Sequence, residues 1–199
     1  EGAIQFAPEA IARSNADLLS TPELRREFIE IYCDQGREEA GRWLIENHGP
    51  ISDNELEHRL GRYGLNPCGE ILGADFHCNL AEVHLNQIDP SDEEGLADAF
   101  RAGALSVACL LNHRFEVERY RQSREWDPIV GVSFTGLFDF FVHAFGSAWL
   151  RWWEAGRPET EEGLRFKERE ASYLSRWKAI VNETVWDYCD RHGLRRPNR

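Results

Sequence analysis

Apolar residues recur every three to four positions over most of this chain, the spacing that gathers one stripe on a helix. Residues 8–19 read as a short helix. Thr21-Pro22 then supplies a hydroxyl N-cap with proline at the first helical position, and Leu24, Phe28, Ile31 and Tyr32 follow in helical register. Gly36 interrupts the run, Ala40, Trp43 and Leu44 resume it, and Gly49-Pro50 ends it. Ser52-Asp53-Asn54-Glu55 is a capping box that predicts a helix to about Tyr63, with Gly64 as its stop. The period is lost from Leu65 to Gly73, which reads as a loop or extended arm. Phe76 to Leu85 predicts a buried strand. Ser91-Asp92-Glu93-Glu94 is a second capping box. It opens a long helix with Leu96, Phe100, Gly103, Val107, Leu110 and Leu111 on one side. Asp127-Pro128 breaks the charged stretch after it, and Ile129 to Phe134 predicts a second buried strand, leaving through Gly136. Leu137 to Trp153 is strongly apolar. Thr160 to His192 predicts one long amphipathic helix, with Leu164, Ala171, Leu174, Trp177, Val181, Val185 and Tyr188 inward and Gly193 as its end.

Strand, helix, strand is the order of a parallel sheet, so the expected class is α/β, rich in helix. Two or three strands do not close such a sheet alone. The chain also lacks Met entirely, and together these make residues 1–199 read as one partial domain, an internal fragment of something larger. Lys and Arg total 23 against 35 Asp and Glu, for a net charge of −12. That balance argues against nucleic acid and anionic membranes as partners. No apolar run reaches the length of a membrane span and no secretory signal opens the chain. Five cysteines, an odd number without such a signal, fit free thiols in a reducing, cytoplasmic compartment. Seven Trp and eleven Phe imply either a heavily aromatic core or a surface awaiting more protein.

The densest chemistry is Cys68-Gly69-Glu70. A thiol and a carboxylate two residues apart share one side of an extended backbone, and Gly69 between them leaves room for a substrate. Gly73 lies midway between Cys68 and Cys78. A chain doubled back about Gly73 would set the two thiols opposite each other, with Cα atoms roughly 4.5–5.5 Å apart. Cys33, Cys109 and Cys189 lie on helical patterns among apolar residues and are expected to be buried and inert. Cys68, His77, Cys78 and His84 offer zinc-type ligands, but neither a C-x-x-C nor an H-x-x-x-H pair is present, so no metal site is expected. A cysteine hydrolase is disfavoured too, because Glu70 beside the thiol works against thiolate formation.

Asn66-Pro67-Cys68-Gly69-Glu70-Ile71, followed by Phe76-His77-Cys78-Asn79-Leu80, resembles the finger-loop region of ribonucleotide reductases. The short spacing between the cysteines resembles the adenosylcobalamin-dependent class, in particular its monomeric ribonucleoside-triphosphate reductases. Ala7 to Arg13 and Ile129 to Gly136 resemble the segments flanking that loop in the family. The resemblance implies a ten-stranded α/β barrel with a central finger loop, here about residues 65–76. It implies that Cys68 carries a thiyl radical, that Glu70 is the general base for the 3′-hydroxyl, and that Asn66 orients the sugar hydroxyls and Glu70. Gly69 would lie at the substrate. Cys78 would be one of two reducing thiols, paired with a cysteine from an earlier strand rather than with Cys68. The implied cofactor is adenosylcobalamin, its site mostly outside this chain. The implied partners are a ribonucleotide, a thioredoxin-type reductant and the remainder of the barrel, in an allosterically controlled enzyme of deoxyribonucleotide supply for DNA replication. The chain alone is expected to be inactive. A helical interaction domain with structural cysteines is the competing reading.

Overall fold

The computed structural model describes residues 4–5, 8–60, 64–65, 71–72, 75, 77–126 and 128–197. In chain order the elements are β1 (Ile4–Gln5), α1 (Pro8–Ser14), α2 (Pro22–Gln35), α3 (Arg37–His48), α4 (Asp53–Arg59), β2 (Gly64–Leu65), β3 (Ile71–Leu72), β4 (Leu80–His84), a 3₁₀ turn (Leu85–Gln87), α5 (Glu93–Leu111), α6 (Glu118–Trp126), β5 (Gly131–Thr135), α7 (Leu137–Phe145), α8 (Ser147–Glu154) and α9 (Glu161–His192). They fall into two units. The first comprises residues 1–78, 114–129 and 197–199; the second comprises 79–113 and 130–196.

In the first unit, α2 begins as its sequence dictates: the Thr21 side chain accepts from the Leu24 N–H and Pro22 occupies the first turn. Phe28 is fully buried among Ile11, Ala12, Leu19, Ala40 and Leu44, with the Trp43 ring 6.4 Å from its own. Ser52 caps α4 by accepting from the Glu55 N–H at 3.2 Å. That helix stops at Arg59, four residues short of the expected Tyr63. Gly64 is no helix stop; it pairs with Gln5 and Leu72 in a three-stranded antiparallel sheet ordered β1-β2-β3. The pairing partner Gln5 is remote in sequence, which local helix signals do not report.

In the second unit, β4 and β5 run parallel, with Leu80 opposite Gly131 and His84 opposite Thr135. The strand–helix–strand order predicts that pairing, and the helix-rich unit with its small parallel sheet fits an α/β class. Helix α5 lies on the sheet: a Cβ at Gly103 would stand 3.2 Å from Val132 Cγ1. It starts at Asp92, whose carboxylate accepts from the Gly95 N–H, and not at Ser91 as the capping box predicts. The Ser91 N–H and hydroxyl both donate to Asp89 instead, at 2.8 and 2.7 Å.

The aromatic core anticipated from composition lies here. Trp177 stacks on Phe100 at 5.0 Å and meets Phe140 at 5.4 Å, with Trp149, Trp152 and Phe166 buried around them. Each such ring contributes about 1.5–3 kcal/mol by leaving water. Trp149 Nε1 donates to the buried Glu170 at 2.7 Å, and Arg157 supplies its counter-charge at 2.5 Å. The inward stripe of α9 is Phe166, Glu170, Trp177, Val185 and Cys189. Leu164, Ala171 and Leu174 are exposed, contrary to the apolar pattern, because Trp149 and Arg157 make the polar Glu170 the residue that points in. Leu110 of α5 is likewise exposed, while Ala104, Val107, Ala108 and Leu111 face the core.

Candidate functional site

The stretch that carries the Asn-Pro-Cys-Gly-Glu motif follows α4 in the chain and belongs to the first unit. Four C-terminal carbonyls of a helix lack intrahelical partners, and here side chains take three of them, with Arg37 Nη2 donating to the Glu57 carbonyl at 3.5 Å. Asn15 Nδ2 donates to the Arg59 carbonyl at 2.9 Å and Arg37 Nε donates to the Leu60 carbonyl at 3.2 Å. The Arg59 side chain is almost wholly buried and ties the same corner together. Its guanidinium donates to Glu55 at 2.7 Å, to Asn15 Oδ1 at 3.2 Å and to Asp17 at 3.2 and 3.3 Å. Burial opposes its charge, but Asp17 and Glu55 outweigh that, so its pKa lies above the ordinary arginine value. Strands β2 and β3 pair antiparallel, with Leu65 opposite Ile71. Asn66, Cys68, Gly69 and Glu70 lie outside the described residues, as does Gly73, about which the expected doubling back would occur.

Described structure returns at Asp75, which has φ of 51°, in the left-handed region that Asp tolerates better than most side chains. Arg119 Nε stands 3.7 Å from its carboxylate. The His77 ring meets the edge of Phe115 at 4.8 Å and lies 6.4 Å from Tyr120. Cys78 follows, exposed, two residues before β4. Strand β4 begins only at Leu80, later than the expected Phe76, because its register with β5 starts there.

Of the zinc-type ligands, Cys68 lies outside the described residues. His84 is exposed with Nε2 3.5 Å from Glu82, and among the described residues no three His, Cys, Asp or Glu side chains come together as a metal site would require. Of the remaining cysteines, Cys189 is buried as expected, and burial together with the Asp190 charge pushes its thiol up. Cys33 and Cys109 are exposed, which corrects the expectation of burial. Phe28 is the residue α2 buries, and α5 turns Ala108 inward and leaves Cys109 outside.

A cavity of about 440 Å³ opens at the carboxyl ends of β4 and β5, a place the sequence reading does not single out. The 3₁₀ turn and Asp89 line one wall, Phe140 and His143 of α7 the other. The N–H and hydroxyl of Ser91 hold the Asp89 carboxyl below its ordinary range, with a smaller contribution from His143. Its signal in the sequence is Gly136, whose φ of 74° and close approach to Asn86 bring α7 against that turn. The carboxyl end of parallel strands is where open α/β sheets bind ligands. A corrin macrocycle exceeds this cavity of about 440 Å³, so its lining does not fit adenosylcobalamin.

Compared with known proteins, the chain is 29% identical over 159 residues to an adenosylcobalamin-dependent ribonucleoside-triphosphate reductase of Levilactobacillus brevis. The similarity covers 75% of this chain and 21% of that reductase. The chain therefore spans about a fifth of the length of the relative it matches. No family model and no solved structure matches it. No described helix is long and apolar enough to cross a membrane.

Proposed function

We propose that this chain is a segment of the catalytic barrel of a ribonucleotide reductase of the adenosylcobalamin-dependent kind, and that residues 66–78 carry its chemistry. The observation that carries the reading is the motif Asn66-Pro67-Cys68-Gly69-Glu70, with Cys78 just ahead of a parallel strand, in a chain similar to such a reductase. In this reading a Cys68 thiyl takes the hydrogen atom from the ribose 3′ carbon, and Glu70 accepts the 3′-hydroxyl proton. General-base help of this kind is worth about 10²–10⁴ in rate. Asn66 and Gly69 hold the sugar. The 2′-hydroxyl takes one thiol proton and leaves as water, and Cys78 with a second thiol becomes a disulfide, delivering two electrons and the remaining proton to the 2′ carbon. The same hydrogen atom then returns from Cys68 to the 3′ carbon. In this reading the remainder of the barrel, which the similarity to a longer reductase implies, supplies the second thiol and the cofactor surface. A thioredoxin-type protein reduces the disulfide after each turnover, and the ribonucleotide is the substrate.

The test uses the complete protein. Cys68→Ser is expected to abolish both deoxynucleotide formation and hydrogen exchange at the substrate 3′ carbon while ribonucleotide binding persists. Cys78→Ser is expected to retain the exchange and lose reduction. Turnover by the Cys68 variant, or loss of both activities in the Cys78 variant, would overturn the assignment.

A further inference from the structure

The cavity at the carboxyl ends of β4 and β5 has no role in the chemistry proposed above, and every residue that lines it belongs to the second unit. Its volume of about 440 Å³ falls within the range of small-molecule sites, roughly 300–1,000 Å³. Part of the lining is apolar. Leu85 and Phe140 are fully buried, and Ile88 and Pro90 are half-buried. The rest is four exposed polar side chains, Asn86, Gln87, Asp89 and His143.

The walls are fixed by the chain's own bonds. The Ile88 N–H donates to the Leu85 carbonyl at 3.2 Å, and the Asp92 N–H donates to the Asp89 carbonyl at 2.9 Å. Asn86 packs against Gly136, at the start of α7, with no room for a Cβ between them. A site whose walls are set beforehand loses less free energy to ordering when it binds. Asp89 is held in the same way. The Ser91 N–H and hydroxyl both donate to its Oδ1, at 2.8 and 2.7 Å. Among the described residues no donor reaches Oδ2, so half of an oriented carboxylate is left for a ligand. The Ser91 bonds favour its ionised form.

The lining selects the class of ligand. No Lys or Arg is among its residues, so a phosphate or carboxylate would meet Asp89 without a counter-charge. Among the described residues no three metal-binding side chains gather, which argues against a metal ion. The volume is many times that of a single small ion, and the apolar residues offer nothing to a hydrated one. We propose that this cavity binds a small organic cation, a primary ammonium on a short apolar stem, with Asp89 as its counter-charge. Asn86, Gln87 and His143 supply further hydrogen-bond acceptors, and the stem lies against Leu85, Ile88, Pro90 and Phe140. The proposal is independent of the reading of Asn66 to Glu70.

Titration of the isotope-labelled chain with butylammonium, followed by amide NMR, tests it. The salt is held at about 0.15 M, where attraction to a generally acidic surface is largely screened. Saturable shifts are expected at residues 85–90 and 140–143. Asp89→Asn keeps the shape and an acceptor for Ser91, and it should weaken binding roughly tenfold to a hundredfold, the worth of a hydrogen bond to a charged group. Butanol, the neutral isostere, should bind at least tenfold more weakly than butylammonium, and butyrate should not bind. A lysine residue blocked at both ends carries the same ammonium on a peptide backbone. Tighter binding of blocked lysine would assign the site to a partner's lysine, and tighter binding of butylammonium to a free amine; either supports the proposal. Equal affinity for butanol, saturable binding of butyrate, or an unchanged affinity in Asp89→Asn would overturn it. So would shifts that never saturate or that spread over the acidic surface.

Discussion

Replacing Arg59 by Met keeps an aliphatic stem of similar length and deletes the guanidinium. The side chain is 7% exposed, and its partners Asp17 and Glu55 are 30% and 24% exposed. Removing one member of a fully buried ion pair costs about 3–5 kcal/mol, because the other is left charged and unpaired. Here water reaches both carboxylates in part, which returns some of that. Against this, Asn15 Oδ1 loses a donor, and a buried acceptor left without one costs on the order of 1 kcal/mol. The expected loss for Arg59→Met is therefore about 2–3 kcal/mol. With a urea slope of about 1–3 kcal/mol/M, the midpoint should fall by roughly 1–2 M. Arg59→Met combined with Asp17→Asn should cost less than the sum of the two, by about 1 kcal/mol or more, as groups in direct contact do. An Arg59→Met chain within about 0.5 kcal/mol of wild type, or strict additivity in the cycle, would refute this account of the corner.

Two further outcomes follow from other parts of the fold. Gly136→Ala places a side chain at φ 74°, with its Cβ 2.8 Å from Asn86 Cβ and 3.0 Å from the Asn86 nitrogen, so a stability loss of about 1–3 kcal/mol is expected by thermal or urea unfolding. A Gly136→Ala chain as stable as wild type would show that the turn after β4 yields freely. Cys189 keeps its proton in the folded state at pH values where an unfolded thiol, with a pKa of about 8.5, has lost it. Its contribution is therefore complete below that value and is lost as pH rises above it. Unfolding midpoints measured at pH 7.5 and 10 should fall further for wild type than for Cys189→Ala, and parallel declines would contradict the burial argument.

Helix starts were legible where the cap is local. Thr21, Ser52 and Thr160 each accept from the N–H three residues on, as their sequences require. Gly193 likewise ends α9 in the left-handed conformation. The cap at Ser91 misled because Asp89, two residues earlier, accepts the Ser91 N–H that Glu94 would take in a capping box, and the Asp92 carboxylate accepts from Gly95 to cap α5. The end of α4 misled for a longer-range reason. Gly64 reads as a helix stop in isolation, yet β1, some sixty residues upstream, pairs with it. The phase of α9 was off because a charged residue, Glu170, is buried, and no hydrophobic pattern selects a glutamate for the inside.

The candidate site divides along the same line. In the proposed reading its chemistry is written in consecutive residues, Asn66 to Glu70. The contacts of the described residues on either side of it join residues far apart in sequence: Asn15 and Asp17 on Arg59, Arg37 on Leu60, Trp126 on His58, Phe115 on His77. None of these pairs has a local signature, because each is a polar or aromatic contact fixed only once the helices have packed. The division has a physical consequence. Buried polar contacts of high sequence separation carry stability and direction, since leaving one member unpaired is expensive. In the proposed reading, the thiols and carboxylate act on a substrate and need not support the frame. Substitutions at Cys68 or Glu70 should then change chemistry with little effect on unfolding, whereas those at Arg59 change unfolding first and chemistry only through the loss of the arm's footing.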